Sequence, residues 1–400
     1  MADKYKNHTE NRYYLAIDGL RLLASINIVL FHLEVMGGLY NLHGNPAWFF
    51  RIIKGPAFHA TIFFILGGFI FTSKFASKAN EFKTLPFLKK RFFELYPLHA
   101  ITTILMIVIH LLHRIPSGNI DIPKLLFSAF MHLSLLWSVF PFNSYSLNTP
   151  SWALSAFFLC YLFFGPLLKM VAGIKKKRYL FVFLIIASIP LIAWSVLYQR
   201  LGNPPELYSF FHIFGPVRFF EFFTGMLLAR FFQLTNTENK NKSILKPILY
   251  DSIIVISVIA VFNLLQLHSK EFPSLQFISY HLFLTPFYII ILYCVAVEKG
   301  LIAKLFSLPF IRKTGRSSFY PYLIHIPLIN LITYICENIF GYRKFLHIPQ
   351  NILLFIVMLY GASYIYVNKI RKRKMTMPVT KRKEITEPEL ISEIPADSNL

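Results

Sequence analysis

The stretch IDGLRLLASINIVLFH, residues 17–32, is largely apolar, and its ionisable groups are a carboxylate and a guanidinium near its start and an imidazole at its end. A charged group within a bilayer costs about 2.5–3.5 kcal/mol even on the lenient insertion scale, so such groups need a partner or a function. Eleven steps of 100° separate Arg21 from His32, which is three turns plus about 20°, so both face one side of a helix. Asp18 precedes Arg21 by three residues and lies on the same stripe, within pairing reach. A rise of 1.5 Å per residue separates Arg21 from His32 by about 16 Å along the axis. The spacing predicts a polar stripe that lines either another helix or a water-filled channel. The bland reading, an Asp18–Arg21 pair plus a hydrogen-bonded core histidine, carries equal weight on these residues alone.

The rest of the chain sets the surroundings of that helix. Of 400 residues, 55% are hydrophobic, 17% aromatic and only 15% charged, far more apolar than a soluble domain requires. Apolar runs of roughly 20 residues recur along the chain, each long enough to cross a hydrocarbon core of about 30 Å. Lipid leaves a spanning backbone few options besides the helix. The expectation is an all-α polytopic membrane protein. Lys4, Lys6 and Arg12 precede the first apolar segment as they would in a signal peptide, but Asp18 and Arg21 interrupt it and no small-residue cleavage site follows, so a retained helix is expected. Cys160, Cys294 and Cys336 fall inside apolar segments, with neither metal-type spacing nor a disulfide framework.

The pattern predicts ten spans, at about 14–36, 57–74, 92–113, 151–173, 178–198, 211–233, 248–267, 277–297, 318–337 and 350–369. With the N-terminus inside, 31 of the 41 Lys and Arg residues fall in inner segments and 8 in outer loops, leaving Arg21 and Arg218 within spans. This asymmetry accounts for the net charge of +22 without nucleic acid. An eleventh stretch, 123–137, would reverse every later basic loop if it spanned, so it is expected as an interfacial or re-entrant helix on the outer side. Residues 1–13 then form a cytoplasmic N-terminus, 14–369 one transmembrane domain, and 370–400 a disordered cytoplasmic tail whose charge turns from basic to acidic after KIRKRK. No internal repeat is evident, which argues against a transporter of paired halves.

Further segments place polar groups at or within the spans. FFILGGF (63–69) offers Gly67 and Gly68 for close helix approach. FLKKRFFELYPLH (87–99) brings Lys89, Lys90 and Arg91 to a cytoplasmic mouth, where positive-inside anchoring competes with phosphate binding. LNTPSWALSAFF (147–158) sets Asn148, Ser151 and Trp152 at the outer entrance of a span. Arg218 and Glu221 stand at i, i+3 inside another span, as an ion pair would. TGRSSFYPYLIHIP (314–327) carries Ser318, Tyr322 and His325.

Taken in order, IDGLRLLASINIVLFH, FFILGGF, RFFELYP, NTPSWALS, RFFEFFTGMLLA and GRSSFYPYLIH resemble the membrane-bound acyltransferase 3 family over about residues 13–370. The Asp-Gly-Leu-Arg start and the Arg-x10-His spacing are the most specific match. The resemblance implies an O-acyltransferase that moves an acyl group, usually acetyl, from cytoplasmic acyl-CoA to a hydroxyl acceptor such as O-antigen lipopolysaccharide or exopolysaccharide outside. It implies a multi-pass protein of the bacterial inner membrane. Acetyl-CoA would be a donor substrate rather than a resident cofactor, with no metal, and a separate extracytoplasmic enzyme could be a partner. Carried onto this chain, His32 becomes the catalytic base, with Arg21 and Asp18 in the catalytic set. Arg91 and Lys90 would hold the donor. Asn148, Trp152, Arg218, Glu221, Ser318, Tyr322 and His325 would line the substrate path.

The chain departs from the family pattern at Gly67, often Ser, at Glu94, often a second Arg, and at Phe319, usually Tyr. It also reads WALSAF where the pattern is Trp-Ser-Leu-Ser-x-Glu, placing Ala153 for Ser and Phe157 for Glu. Two readings from other classes compete: a transporter or flippase of a lipid-linked glycan using the same polar stripe, and a structural subunit of a polysaccharide synthase. The first would not need acyl-CoA, and the second would not need His32.

Overall fold

A computed structural model describes residues 14–35, 56–118, 120–140, 147–202, 213–235, 245–271, 282–342 and 345–371. The expected N-terminal segment and most of the expected tail lie outside these residues. The principal helices are α1 (Leu15–Val35), α2 (Pro56–Phe75), α3 (Thr84–Arg114), α4 (Ile122–Leu133), α5 (Trp152–Gly173), α6 (Lys177–Arg200) and α7 (Gly215–Leu234). They continue as α8 (Leu245–Glu271), α9 (Thr285–Val297), α10 (Leu301–Phe306), α11 (Pro309–Arg316), α12 (Phe319–Asn338) and α13 (Pro349–Ile365). Among the described residues there is no strand.

Eight described helices are long and apolar enough to cross a membrane. The expected spans at 211–233 and 277–297 begin on residues outside the described ones, 211–212 and 277–281; their described parts hold α7 and α9, which are not among those eight. α7 carries Arg218 and Glu221, but nearly all of its first four turns are buried by other helices. A helix shielded by protein can be more polar than one facing lipid. By contrast α6 exposes Phe181, Val182, Ile185, Ile186, Ile189 and Ile192, an apolar surface suited to lipid. Proline inside a helix breaks it in water, yet Pro97, Pro166, Pro190 and Pro327 all lie within helices here, as neighbouring helices permit in a membrane.

The third span is longer than expected, 31 residues rather than 92–113. Its first two turns, 84–91, are basic, and hydropathy alone does not register them. The segment expected at 123–137 forms the 12-residue α4, with Asp121 Oδ1 accepting from Lys124 N at 3.0 Å as its N-cap. One face of α4 exposes Ile122, Leu126, Phe127 and Phe130, whereas His132 and the following Trp137 and Ser138 are buried.

Glycine decides the central crossing. A Cβ on Gly68 would lie 1.8 Å from the Phe222 carbonyl oxygen, and one on Gly225 would lie 1.9 Å from that of Ile65. α2 and α7 therefore touch backbone to backbone, each through a glycine of its own. This close approach is the small-residue contact by which membrane helices pack in the absence of a hydrophobic drive. A second such contact sets α11 against α1, where a Cβ on Gly315 would meet the Asp18 carbonyl oxygen at 1.8 Å. Two acidic side chains fix the connections around α1: Glu298 Oε1 accepts from Ala16 N at 3.1 Å, and Asp251 accepts from Leu301 N and Ile302 N at 2.7 and 3.1 Å. Caps of this kind contribute about 1 kcal/mol each.

Candidate functional site

The polar stripe of α1 faces protein along its length. Asp18 is buried at 3% exposure. Its Oδ2 accepts from Arg316 Nε at 2.9 Å, while Arg21 Nη1 stands 3.8 Å from Oδ1. Asp18 thus gathers two guanidinium groups, and the expected Asp18–Arg21 pair is the longer of the two contacts. Sequence reasoning alone does not single out Arg316. Its one signal is the adjacent Gly315, whose missing side chain lets α11 lie against the Asp18 backbone.

Three helical turns beyond Arg21, His32 is partly exposed and His325 fully buried. His32 Nδ1 lies 2.9 Å from the Ile28 carbonyl oxygen and 3.1 Å from His325 Nε2. His325 Nδ1 lies 3.0 Å from the Pro321 carbonyl oxygen. The rings are 5.0 Å apart between centroids. Val29, Leu33 and Ile329 form the apolar packing that brings α1 and α12 together on this side.

Tyr322 and Asn148 clip the turn at 149–151 to α12. The Tyr322 hydroxyl donates to the Pro150 carbonyl, and Asn148 Nδ2 donates to Leu323 O at 2.9 Å and to Thr102 Oγ1 at 3.1 Å. Both of these residues are engaged in holding the start of α5 beside His325. Ser318 contributes through its backbone: its carbonyl accepts from Ser25 Oγ at 3.2 Å, and the same hydroxyl meets Tyr360 at 2.7 Å. Beyond the clip runs a buried network that the sequence does not announce. His99 Nε2 donates to His132 O at 2.9 Å, His132 Nδ1 reaches Ser151 Oγ at 3.5 Å, and the Ser151 hydroxyl donates to Asn148 O at 2.8 Å.

Arg218 and Glu221 pair as the spacing predicts, with Arg218 Nη1 donating to Glu221 Oε1 and Oε2 at 3.0 and 3.1 Å. Both are wholly buried. Thr61 Oγ1 donates to Glu221 Oε1 at 2.7 Å, a partner the sequence does not suggest. The guanidinium also lies over the Trp152 ring at 4.9 Å and the Phe64 ring at 5.8 Å. Trp152 therefore turns inward onto this charge.

On the side predicted to be cytoplasmic, Arg91 Nη1 pairs with Glu94 Oε2 at 2.8 Å and stacks over Phe71 at 4.7 Å. Lys90 is exposed, and Lys74 lies within electrostatic reach of Lys90, Arg91 and Glu94. The Tyr161 hydroxyl is within such reach of Arg21, Arg91 and Glu94. The position where the family pattern often has a second Arg holds a carboxylate, so this mouth carries less positive charge than the pattern implies.

A family model described as an acyltransferase domain matches residues 14–367. The chain belongs to the acyltransferase 3 family. It is 25% identical over 385 residues to YrhL of Bacillus subtilis, provisionally named a peptidoglycan O-acetyltransferase, covering 91% of this chain and 56% of that protein. It is 25% identical over 343 residues to the peptidoglycan O-acetyltransferase OatA of Listeria monocytogenes, covering 82% of this chain and 51% of that one. A provisionally named O-acetyltransferase of Staphylococcus aureus is also 25% identical, over 88% of this chain and 56% of its own length. The chain spans just over half the length of these relatives. No solved structure matches it.

Two of the chain's departures from the family pattern touch each other. Phe157 stacks on Phe64 with centroids 4.2 Å apart and planes at 16°. A Cβ on Gly67 would come within 2.9 Å of Phe157 Cε1. A side chain at 67 would crowd the Phe157 ring.

Proposed function

We propose that this chain is an integral membrane O-acyltransferase that carries an acyl group, acetyl by preference, from cytoplasmic acyl-CoA to a hydroxyl of a cell-surface glycan. Membership of the acyltransferase family and the names of its relatives support the reaction class. The observation that carries the assignment onto residues is the His32 imidazole, held by hydrogen bonds to Ile28 of its own helix and to His325 of α12. Those names direct the first acceptor to peptidoglycan; O-antigen and exopolysaccharide belong to the same class of acceptor.

In this reading the acceptor hydroxyl approaches His32 from the outer side. Its oxygen attacks the thioester carbonyl carbon, its proton passes to the imidazole, and the carbon–sulfur bond breaks to release the thiolate of CoA, which recovers the proton. Imidazole suits this exchange because its ordinary pKa of about 6.5 lies near working pH. Arg91, Lys90 and Lys74 form a cationic mouth for the phosphates of CoA, and Arg21 stands deeper, where charge develops or the donor passes. The buried Arg218–Glu221–Thr61 group and Trp152 form one wall, and the Asn148–Tyr322 clip holds α5 in register with it. Acetyl-CoA acts as a substrate, no resident cofactor is invoked, and the protein resides in the cytoplasmic membrane with both termini inside.

The test is transfer of labelled acetyl from acetyl-CoA to peptidoglycan strands by the full chain in proteoliposomes. Label on the glycan as an alkali-labile ester supports the reading. Glycan movement without acetyl transfer supports the flippase instead.

A further inference from the structure

The hydrogen bonds around His32 determine which of its nitrogens can act. A carbonyl oxygen only accepts, so the nitrogen facing it must carry the hydrogen. His325 Nδ1 faces the Pro321 carbonyl at 3.0 Å and is therefore its N–H. A neutral imidazole has one N–H, which leaves His325 Nε2 with a bare lone pair. His32 Nδ1 lies 2.9 Å from the Ile28 carbonyl and is likewise an N–H. That hydrogen is shared between Ile28 O and His325 Nε2, which stands 3.1 Å away. One N–H can be shared between two acceptors in a three-centre bond. The remaining nitrogen, His32 Nε2, is then bare.

We infer that His325 is a positioning residue for His32, holding it in the Nδ1–H tautomer so that Nε2 is the atom that takes the proton from the acceptor hydroxyl. This rests on the proposed reaction and assigns His325 a role other than lining the substrate path. When Nε2 takes the proton, the cation that forms on His32 donates a charge-assisted hydrogen bond from Nδ1 to His325 Nε2, stronger than the neutral bond it replaces. The proton is returned from Nε2 to the leaving thiolate, so both rings end as they began. His325 is suited to this task by its surroundings. It is fully buried, its orientation is set by the Pro321 carbonyl one turn back in α12, and the adjacent Tyr322 and Leu323 are tied to Pro150 and Asn148. An acceptor held this rigidly selects one tautomer without bringing a second charge into the membrane interior.

The test compares the full-length wild type with His325→Gln, His325→Asn and His32→Ala in proteoliposomes, using labelled acetyl-CoA and lysozyme-solubilised peptidoglycan strands. A glutamine places a carboxamide oxygen near the position of Nε2, where it can accept from His32 Nδ1, whereas an asparagine is too short to reach. His325→Gln is expected to keep kcat within about tenfold of wild type, and His325→Asn to lose about a hundredfold or more in kcat, with KM for acetyl-CoA changed less than about threefold. Thermal melting in detergent confirms that each variant is folded. Equal kcat for the Gln and Asn variants, at either level, would overturn the role of His325. Full activity in His32→Ala would instead overturn the underlying reading of the site.

Discussion

His32 on α1 and His325 on α12 stand 293 residues apart in sequence and meet at 3.1 Å between Nδ1 and Nε2. Each ring is also tied to a carbonyl one turn earlier in its own helix, Ile28 for one and Pro321 for the other. The contact couples the two segments that carry the polar groups of the site, so it locates where the opening stripe of α1 leads: to another helix.

The Arg218–Glu221 pair is wholly buried, and Glu221 also accepts a hydrogen bond from Thr61 on a second helix. Removing one partner leaves an uncompensated charge, which costs about 3–5 kcal/mol. Glu221→Leu alone is expected to lower thermal stability in detergent severely, and Arg218→Met/Glu221→Leu to recover most of the loss. A single variant as stable as wild type would mean that the pair is hydrated or exposed.

Gly67 and Phe157 are expected to behave as a coupled pair. Gly67→Ser crowds the Phe157 ring and should destabilise by about 1–3 kcal/mol. The same change in a Phe157→Ala background should cost little, giving an interaction of about 0.5–3 kcal/mol in a double-mutant cycle. Additive effects would contradict the contact.

The α2–α7 crossing admits no side chain at either glycine. Gly68→Leu and Gly225→Leu should each abolish accumulation of folded protein, measured as a monodisperse peak in detergent. The same substitution at Gly361, which has nothing within 4 Å of a Cβ, should be tolerated. Comparable yields for all three would disprove backbone contact at the crossing.

Much of this arrangement is legible in the order of the residues. Helix class follows from apolar length, the Arg218–Glu221 pair from i, i+3 spacing, and the close approach at Gly67–Gly68 from small residues in an apolar run. What a sequence cannot supply is the partner across the interface. Gly68 gives no hint that Gly225 answers it, nor Glu221 that Thr61 donates to it, because helical periodicity fixes which face a residue occupies and not what that face meets. Arg316 is hidden for the same reason: its charge reads as a positive-inside loop until Gly315 brings α11 onto α1. Lys90 and Arg91 likewise read as one cationic patch, whereas Glu94 offsets Arg91 from one turn further along α3. The expected span at 277–297 begins outside the described residues, which hold the helix Thr285–Val297 of that segment.

The central claim is that His32 takes the proton of the acceptor hydroxyl. Its most direct test is the rate of acetyl transfer from labelled acetyl-CoA to peptidoglycan strands by the full chain in proteoliposomes, for wild type and His32→Ala. The account predicts a loss of at least about a hundredfold in kcat, with the variant folded and its KM for acetyl-CoA nearly unchanged. Equal rates of transfer by the two proteins would contradict it.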